Sequence, residues 1–289
     1  MNVIRTISDA EKIFTNFVVQ KKTIGFVPTM GALHLAHEKL IQRAILENNI
    51  SVVSIFVNPL QFGPKEDFKS YPKPFNNDLK ICKKLGVDFV FAPSIKEMYP
   101  DTKNNTIVSV KKYTNILCDK FRPGHFDGVA TVVTKLFNII HPTRAYFGQK
   151  DYQQLLIIQQ LVKDLNMKVT IVPMETFREQ DGLAYSSRNK YLSKKERLVA
   201  PVIYKSLLYC KQLLKSRNFK ISECIKNTKS FLHSQITVPH KIQYLEIYDK
   251  NLQPVNDEVN KIPHNTELRI FIAIYIGKTR LIDNVSLNL

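Results

Sequence analysis

Three short segments of this 289-residue chain combine side chains that handle phosphate and carboxylate groups. The first is Pro28-Thr29-Met30-Gly31-Ala32-Leu33-His34-Leu35-Ala36-His37, which reads as the end of a strand and the start of a helix. A helix N-terminus offers free backbone N–H groups and the positive end of a dipole, and so forms a ready anion site. His34 and His37 are three residues apart and can face the same anion from the first turn. The second segment, Phe147-Gly148-Gln149-Lys150-Asp151, again runs from strand to helix. Lys150 suits phosphate as a mobile point charge, and Asp151 can bond ribose hydroxyls. The third, Tyr185-Ser186-Ser187-Arg188-Asn189, supplies two hydroxyls and a guanidinium, a set suited to anions.

Competing chemistries fail on spacing. A zinc protease needs His-Glu-x-x-His, and His37-Glu38 is followed by Leu40 and Ile41 with no second histidine. Gly277-Lys278-Thr279 ends like a Walker A loop, but Ile272 stands where the upstream glycine is required. Gly25 and Gly31 do not complete a Gly-x-Gly-x-x-Gly fingerprint. The four cysteines, at 82, 118, 210 and 224, have neither metal-ligand nor redox spacing and read as buried thiols of a reducing compartment. The sequon Asn104-Asn105-Thr106 lacks a signal peptide and reads as chance.

The pattern of apolar residues supplies the elements that must position those segments. Ser8-Asp9-Ala10-Glu11 reads as a capping box opening a helix towards Val19. Short apolar strands are predicted at 23–28, 50–57, 88–92, 144–147 and 168–172, with helices at 37–47, to Leu85 with Gly86 just past its end, 127–140 and 151–165. Strand and helix alternate and the strands are apolar throughout, which predicts a mostly parallel α/β sheet covered on both faces. The polar, Pro-containing stretch 58–74 is too long for a simple connector and reads as functional. Near residue 185 the character changes. Ser193-Lys194-Lys195-Glu196 reads as a second capping box opening a long helix towards Leu214, followed by a helix at 221–233 and antiparallel strands at 242–248 and 267–276. The expected division is residues 1–184, Rossmann-like, and residues 185–289, a smaller α+β domain. Ligands of open α/β sheets bind beyond the carboxyl ends of the strands, which predicts that 29–37, 58–72 and 148–151 share one rim.

Composition narrows the class. Hydrophobic residues make up 44% and charged residues 23% of the chain, ordinary for a globular protein that buries a large core without staples. The apolar runs 50–57 and 271–276 fall short of a membrane span, and the first residues do not read as a secretory signal, so a soluble, cytoplasmic protein is expected. The net charge is +17, and residues 188–241 hold thirteen basic residues against two acidic ones. Most of the basic residues are lysine and no aromatic residues are interleaved as a stacking platform, so solvated helix faces are preferred to nucleic-acid binding.

Long stretches carry a family resemblance. Residues 27–37, Ser54-Ile55-Phe56-Val57-Asn58-Pro59-Leu60-Gln61-Phe62-Gly63-Pro64, Phe121-Arg122-Pro123-Gly124-His125-Phe126, residues 147–154 and Ser186-Ser187-Arg188-Asn189 resemble, in the same order, the pantothenate synthetase family. The resemblance runs from about residue 1 to 285. It implies ATP-dependent condensation of (R)-pantoate with β-alanine through a pantoyl adenylate, with release of AMP and diphosphate. It implies the fold of class I synthetases and nucleotidyltransferases, a homodimer, and magnesium carried on the ATP phosphates with no metal site of its own. Carried over, Met30, Gly31, Ala32, Leu33, His34, Leu35, Ala36 and His37 line ATP, with His37 the proton donor and His34 and Lys150 beside it in catalysis. Gly148, Gln149, Lys150 and Asp151 hold ribose and phosphate, Phe177 the adenine edge, and Tyr185, Ser186, Ser187 and Arg188 the triphosphate. Gln61 and Gln154 bind pantoate, and Gln61 also adjoins β-alanine. The chain departs from the family at three of these positions. Ala36 replaces a glycine, Gln149 an acidic residue and Tyr185 an apolar one. Another adenylyl- or cytidylyltransferase on the same scaffold is disfavoured by the two glutamines and the Arg122–His125 segment.

Overall fold

The computed structural model describes residues 1–64, 66–101 and 105–289; Asn104, the first residue of the sequon, lies outside them. The chain forms two compact units, one of Met1–Gln149 with Gln154–Glu175, the other of Lys150–Gln153 with Thr176–Leu289. The expected boundary at 184/185 follows a change of composition, whereas these units follow contacts, which group Lys150–Gln153 with the later chain.

The first unit is ordered β1 (Asn2–Ile4), α1 (Ile7–Val19), β2 (Ile24–Thr29), α2 (Leu35–Glu47), β3 (Ile50–Ile55), α3 (Phe75–Leu85), β4 (Phe89–Phe91), α4 (Ile95–Met98), α5 (Leu117–Phe121), α6 (His125–Ile140), β5 (Arg144–Gly148), α7 (Tyr152–Asp164, from Gln154 onward) and β6 (Thr170–Met174). Its strands pair in the order β1-β4-β3-β2-β5-β6, every pairing parallel. Adjacent residues of β2 point to opposite faces of the sheet. Phe26 meets Phe137 of α6 edge-on, with ring centroids 6.3 Å apart, a favoured arrangement for aromatic pairs. A side chain on Gly25 would instead run into Asn48 and the Ala44 carbonyl at the end of α2. Helices therefore cover both faces, as the apolar strands require. From β2 the chain builds outward to β3 and β4, then returns to the other side for β5 and β6. The switch point lies at β2, where the carboxyl ends of β3, β2 and β5 stand side by side.

Three details differ from the sequence pattern. The cap of α1 is Thr6, whose hydroxyl accepts the Asp9 N–H at 3.2 Å, so the helix starts before the expected Ser8 box. The box at Ser193 and Glu196 forms as expected, with both reciprocal bonds present. The long helix behind it does not, because Pro201 lacks an N–H and divides it into α8 (Lys194–Val199) and α9 (Val202–Ser216). The second unit continues with α10 (Ile221–Gln235), β7 (His240–Asp249), β8 (Glu267–Ile276) and β9 (Thr279–Asn288), the three strands forming an antiparallel sheet. Leu207, Cys210, Leu214, Cys224 and Leu232 pack with Leu268, Ile270, Ile272 and Ile274 into its core. The last strand has no counterpart in the sequence pattern, since the buried polar pair Asp283 and Asn284 interrupts its apolar alternation.

In the first unit α6 lies close against the one-turn 3₁₀ helix Pro59–Gln61 that follows β3. Gly128 makes this possible, because a Cβ there would run into the Leu60 carbonyl oxygen and sit 2.6 Å from the Gln61 nitrogen. We expect Gly128→Ala to gain up to ~1 kcal/mol of helix propensity and to lose about 1–3 kcal/mol to overpacking against backbone. Its melting temperature should fall by several degrees in calorimetry. An unchanged or raised value would mean that the turn yields freely.

Candidate active site

The segment after β2 is built by polar groups inside the first unit. The Thr29 hydroxyl donates to the Ser54 carbonyl at 2.7 Å and accepts the Gly31 N–H at 3.0 Å. Gly31 and Ala32 both have left-handed backbone, φ 78° and 52°, which costs a non-glycine residue such as Ala32 energy unless its surroundings hold it. Asp78 on α3 does so. It is 1% exposed, and its two oxygens accept the N–H groups of Ala32 and Leu33 at 2.9 and 2.8 Å. Nothing in the spacing of Asp78, more than forty residues along, points to this role.

The loop so fixed leads into α2 with His34 as its N-cap and Leu35, Ala36 and His37 in the first turn. His37 Nδ1 accepts the His34 N–H at 3.4 Å, and the two rings lie 4.0 Å apart between centroids. Two half-buried imidazoles are thus held together at the positive end of a thirteen-residue helix. Met30 stands before this turn, and its Sδ accepts a hydrogen bond of 3.0 Å from Gln61 Nε2.

Gln61 is 9% exposed and fixed from two sides. Its Oε1 accepts from Asn58 Nδ2 at 3.1 Å; Asn58 Nδ2 also donates to the Gly128 carbonyl, and Asn58 Oδ1 accepts from the buried Tyr99 hydroxyl at 2.9 Å. Tyr99 thereby sets which way the Asn58 amide points, and Asn58 sets Gln61. The carboxamide oxygen is taken and Nε2 faces a thioether, a weak acceptor. The Gln61 carbonyl lies 2.7 Å from His125 Nδ1 and accepts from Arg122 Nη2 at 3.3 Å. Arg122 is paired with Glu66, Nε to Oε1 at 2.7 Å.

Gly148 ends β5 beside β2 in the sheet, Gln149 begins the next turn, and Gln154 lies half-buried in α7. The other residues singled out in the sequence belong to the second unit. There Phe177 accepts the Tyr185 N–H on its carbonyl at 3.1 Å, and Arg178 bridges Ala184 in a short antiparallel pairing. Ser186 caps the one-turn helix Ser187–Tyr191 by accepting the Arg188 N–H at 3.2 Å. Lys150, Ser186, Asn189 and Asp283 line one narrow cleft of this unit, so two of the sequence segments come together there. Asp151 is exposed, its nearest Oδ 3.9 Å from Lys150 Nζ.

Parallel strands with a central switch point, a helix start bearing two histidines and a buried carboxamide donor define a Rossmann-like α/β fold with a candidate site after its strands. The family model for pantoate–β-alanine ligase matches residues 2–286. The chain is 49% identical to the pantothenate synthetase of Caldicellulosiruptor saccharolyticus, over 99% of each protein. It is also 49% identical to that of Aquifex aeolicus, over 97% of this chain and 96% of the other. The crystal structure of the Thermus thermophilus pantothenate synthetase matches with a TM-score of 0.89 at 40% identity, over 99% of each chain. That of the Francisella tularensis ligase, complexed with β,γ-ATP and β-alanine, matches with 0.79 at 39% identity, over 99% of this chain and 97% of the other. The chain belongs to the pantoate–β-alanine ligase family.

The Glu66–Arg122 pair carries a pH signature. Burial pushes the Glu66 carboxyl upward, but the bond and charge of Arg122, with His125 adding, outweigh it and hold the group below its ordinary 4.5. A depressed folded-state value means stability that is present above 4.5 and lost as pH falls through the folded value. Urea unfolding followed from neutral pH to below 4 should show Glu66→Gln losing less stability on acidification than the wild-type chain. Parallel curves would show the pair to be uncoupled from folding.

Proposed function

We propose that the chain joins (R)-pantoate to β-alanine in two steps through an enzyme-bound pantoyl adenylate. In the first, a pantoate carboxylate oxygen attacks the α-phosphorus of ATP, and the bond to the bridging oxygen breaks to release diphosphate. In the second, the uncharged amine of β-alanine attacks the acyl carbon, the bond to the phosphate oxygen breaks, AMP leaves and the amine nitrogen gives up a proton. Family membership supports the overall reaction. The feature that carries the reading at the site is Gln61, whose carboxamide is held by Asn58 and Tyr99 so that its Nε2 donor faces the Met30 thioether, a weak acceptor. That is a donor prepared for a carboxylate or hydroxyl.

In this reading His34 and His37 act in catalysis, with His37 the proton donor to the leaving diphosphate, and Gln61 and Gln154 are pantoate ligands. The segment 30–37 together with Gly148 and Gln149 takes the nucleotide. Lys150 and Asp151 serve ribose and phosphate, the Phe177 backbone adenine, and Tyr185, Ser186, Ser187 and Arg188 the triphosphate. Cationic and N–H groups fixed beforehand stabilise the charge that develops on phosphorus and leaving oxygens. Magnesium enters as part of the nucleotide substrate, on phosphate oxygens, which suits an ion that keeps its waters. Among the described residues no three His, Cys, Asp or Glu side chains gather as a cage. Amide formation is then a matter of proximity and needs no nucleophile on the enzyme. No helix among the described residues is long and apolar enough to cross a membrane. We read the protein as cytoplasmic, as its sequence suggests, and as a homodimer, as the family resemblance implies; sedimentation of the purified chain tests the dimer.

Pantoate and ATP alone should support pyrophosphate exchange, and AMP release in turnover should require β-alanine. ADP as product, or exchange without pantoate, would overturn the reading. His37→Ala should lower exchange kcat by about 10²-fold or more. Gln61→Ala and Gln154→Ala should raise KM for pantoate about tenfold while KM for ATP stays near wild type; equal effects on both would make these side chains structural.

Ala36 yields a separate expectation. It lies half-buried in the first turn of α2, where its methyl favours helix over glycine by up to ~1 kcal/mol but holds a stacked base outward, at a loss of dispersion contact. Ala36→Gly should tighten ATP binding in calorimetric titration and slightly lower the melting temperature. Unchanged or weaker binding would mean that the site has adapted to the methyl.

A further inference from the structure

The strand that the apolar pattern does not reveal, β9, carries two neighbouring polar residues that are almost fully buried, Asp283 and Asn284, each 4% exposed. Burial of this kind is costly unless the polar groups are bonded, and here each residue bonds in a different direction. Asn284 Nδ2 donates to the backbone carbonyl of Lys150 at 2.9 Å. Its Oδ1 accepts from Arg269 Nη1 at 2.7 Å, so the amide cannot turn over without losing both bonds. Arg269 is itself held, its guanidinium stacked 3.8 Å over the ring of Tyr152, and Tyr152 donates its hydroxyl to the Lys250 carbonyl. Lys150 and Tyr152 are thereby fastened to β8 and β9 by contacts that specify the backbone of the one and the ring of the other.

Asp283 acts on the third sequence segment. Its two oxygens accept from Arg178 Nη1 at 2.6 Å and Nη2 at 2.9 Å, a bidentate pairing in which Asp283 is 3% exposed at its side chain. Arg178 also donates to the Gly182 carbonyl at 3.1 Å and lies 3.7 Å over the ring of Tyr204. Arg178 therefore closes the turn 178–184, which ends one residue before Tyr185. The same guanidinium cannot be replaced by a lysine without losing the fork. Lys150, Ser186 and Asp283 then line a single cleft.

We propose that Asp283 and Asn284 are positioning residues for the adenylation step, Asn284 for Lys150 and Asp283, through Arg178, for the segment 185–188. This rests on the roles given to Lys150 and to 185–188 under the proposed function. Neither residue needs to touch substrate. Two adjacent residues of one strand fix the spacing between a lysine and a serine–arginine segment that are remote from each other in the chain. A charge aimed at a transition state loses most of its effect when its backbone is free to shift by about an ångström. The two bonds should therefore appear in different kinetic constants.

The test compares the full-length wild type with Asn284→Asp, Asp283→Asn and Lys150→Ala in pantoate-dependent pyrophosphate exchange, each rate normalised to folded protein. Asn284→Asp keeps the acceptor for Arg269 and replaces the donating amide by an oxygen that repels the Lys150 carbonyl. It should lower exchange kcat at least tenfold with KM for pantoate within twofold of wild type. Asp283→Asn keeps shape and removes the charge opposite Arg178, and should raise KM for ATP at least fivefold. If Asn284→Asp does not fold, Asn284→Ala carries the same expectation for kcat. Wild-type constants in the folded Asn284 and Asp283 variants, alongside an inactive Lys150→Ala, would overturn the positioning role and leave the proposed function standing. Near-normal exchange in Lys150→Ala would overturn the role of Lys150 itself and the positioning of it by Asn284 together.

Discussion

The turn that follows β2 exists because a carboxylate on another helix holds it. Ala32 sits in left-handed backbone, a conformation that costs an alanine roughly 1–3 kcal/mol. The buried Asp78 offsets that cost by accepting two successive N–H groups. Without it the chain leaving β2 has no reason to turn where it does, and His34 would not stand as the cap of α2 with His37 one turn beyond. A Cβ on Gly31 would approach Asp78 Oδ2 to 2.9 Å, so the glycine and the carboxylate fit as a pair. The histidines owe their common orientation to this contact between α3 and the β2 loop.

The same device recurs in each unit: a buried polar group whose bonds specify the direction of its neighbour. In the first unit Tyr99 orients Asn58 and Asn58 orients Gln61, while burial raises the Tyr99 hydroxyl well above its ordinary value and keeps it a donor. Arg122 reaches the Gln61 carbonyl while anchored on Glu66. In the second unit Arg178 with Asp283 and Arg269 with Asn284 do the equivalent for backbone. Such networks add little to stability compared with apolar packing of the same volume. They fix geometry, because an amide or carboxylate bonded on both sides has one orientation, whereas a leucine in the same place would fit several.

The basic stretch between Arg188 and Lys241 shows how composition and packing separate. Its α9 buries Ile203, Leu207, Cys210 and Leu214 in the core shared with β8, while Lys205 and Lys215 stay exposed. Lys211 turns its ammonium to the Ser286 carbonyl at 2.8 Å and so serves the helix–strand contact. A run of positive charge in sequence is here divided among solvent-facing positions and at least one structural bond.

Much was legible in the residues themselves because local physics is short-ranged. The apolar strands, the Ser193 capping box, Gly86 at the left-handed end of α3 and the strand-to-helix placement of 28–37 all follow from patterns within a few residues. So does the parallel character of the strands whose order sets Thr29, Ile55 and Gly148 at neighbouring strand ends. Even local signals were ambiguous where two competed: Thr6 caps α1 ahead of Ser8, and Pro201 divides a helix whose apolar spacing continues past it. The choice of partner for each polar side chain was decided only in three dimensions. Asp78, Tyr99, Asp283 and Asn284 meet their side-chain bonding partners across 15 to 134 residues of chain. β9 stayed hidden for the same reason: a polar pair that breaks the alternation is tolerated in a buried strand only when other segments satisfy it, here Arg178 for Asp283 and, for Asn284, Arg269 and the Lys150 carbonyl. Sequence spacing encodes contacts made within a turn or two; a hydrogen bond between remote segments depends on where the whole fold brings them, and no periodicity records it.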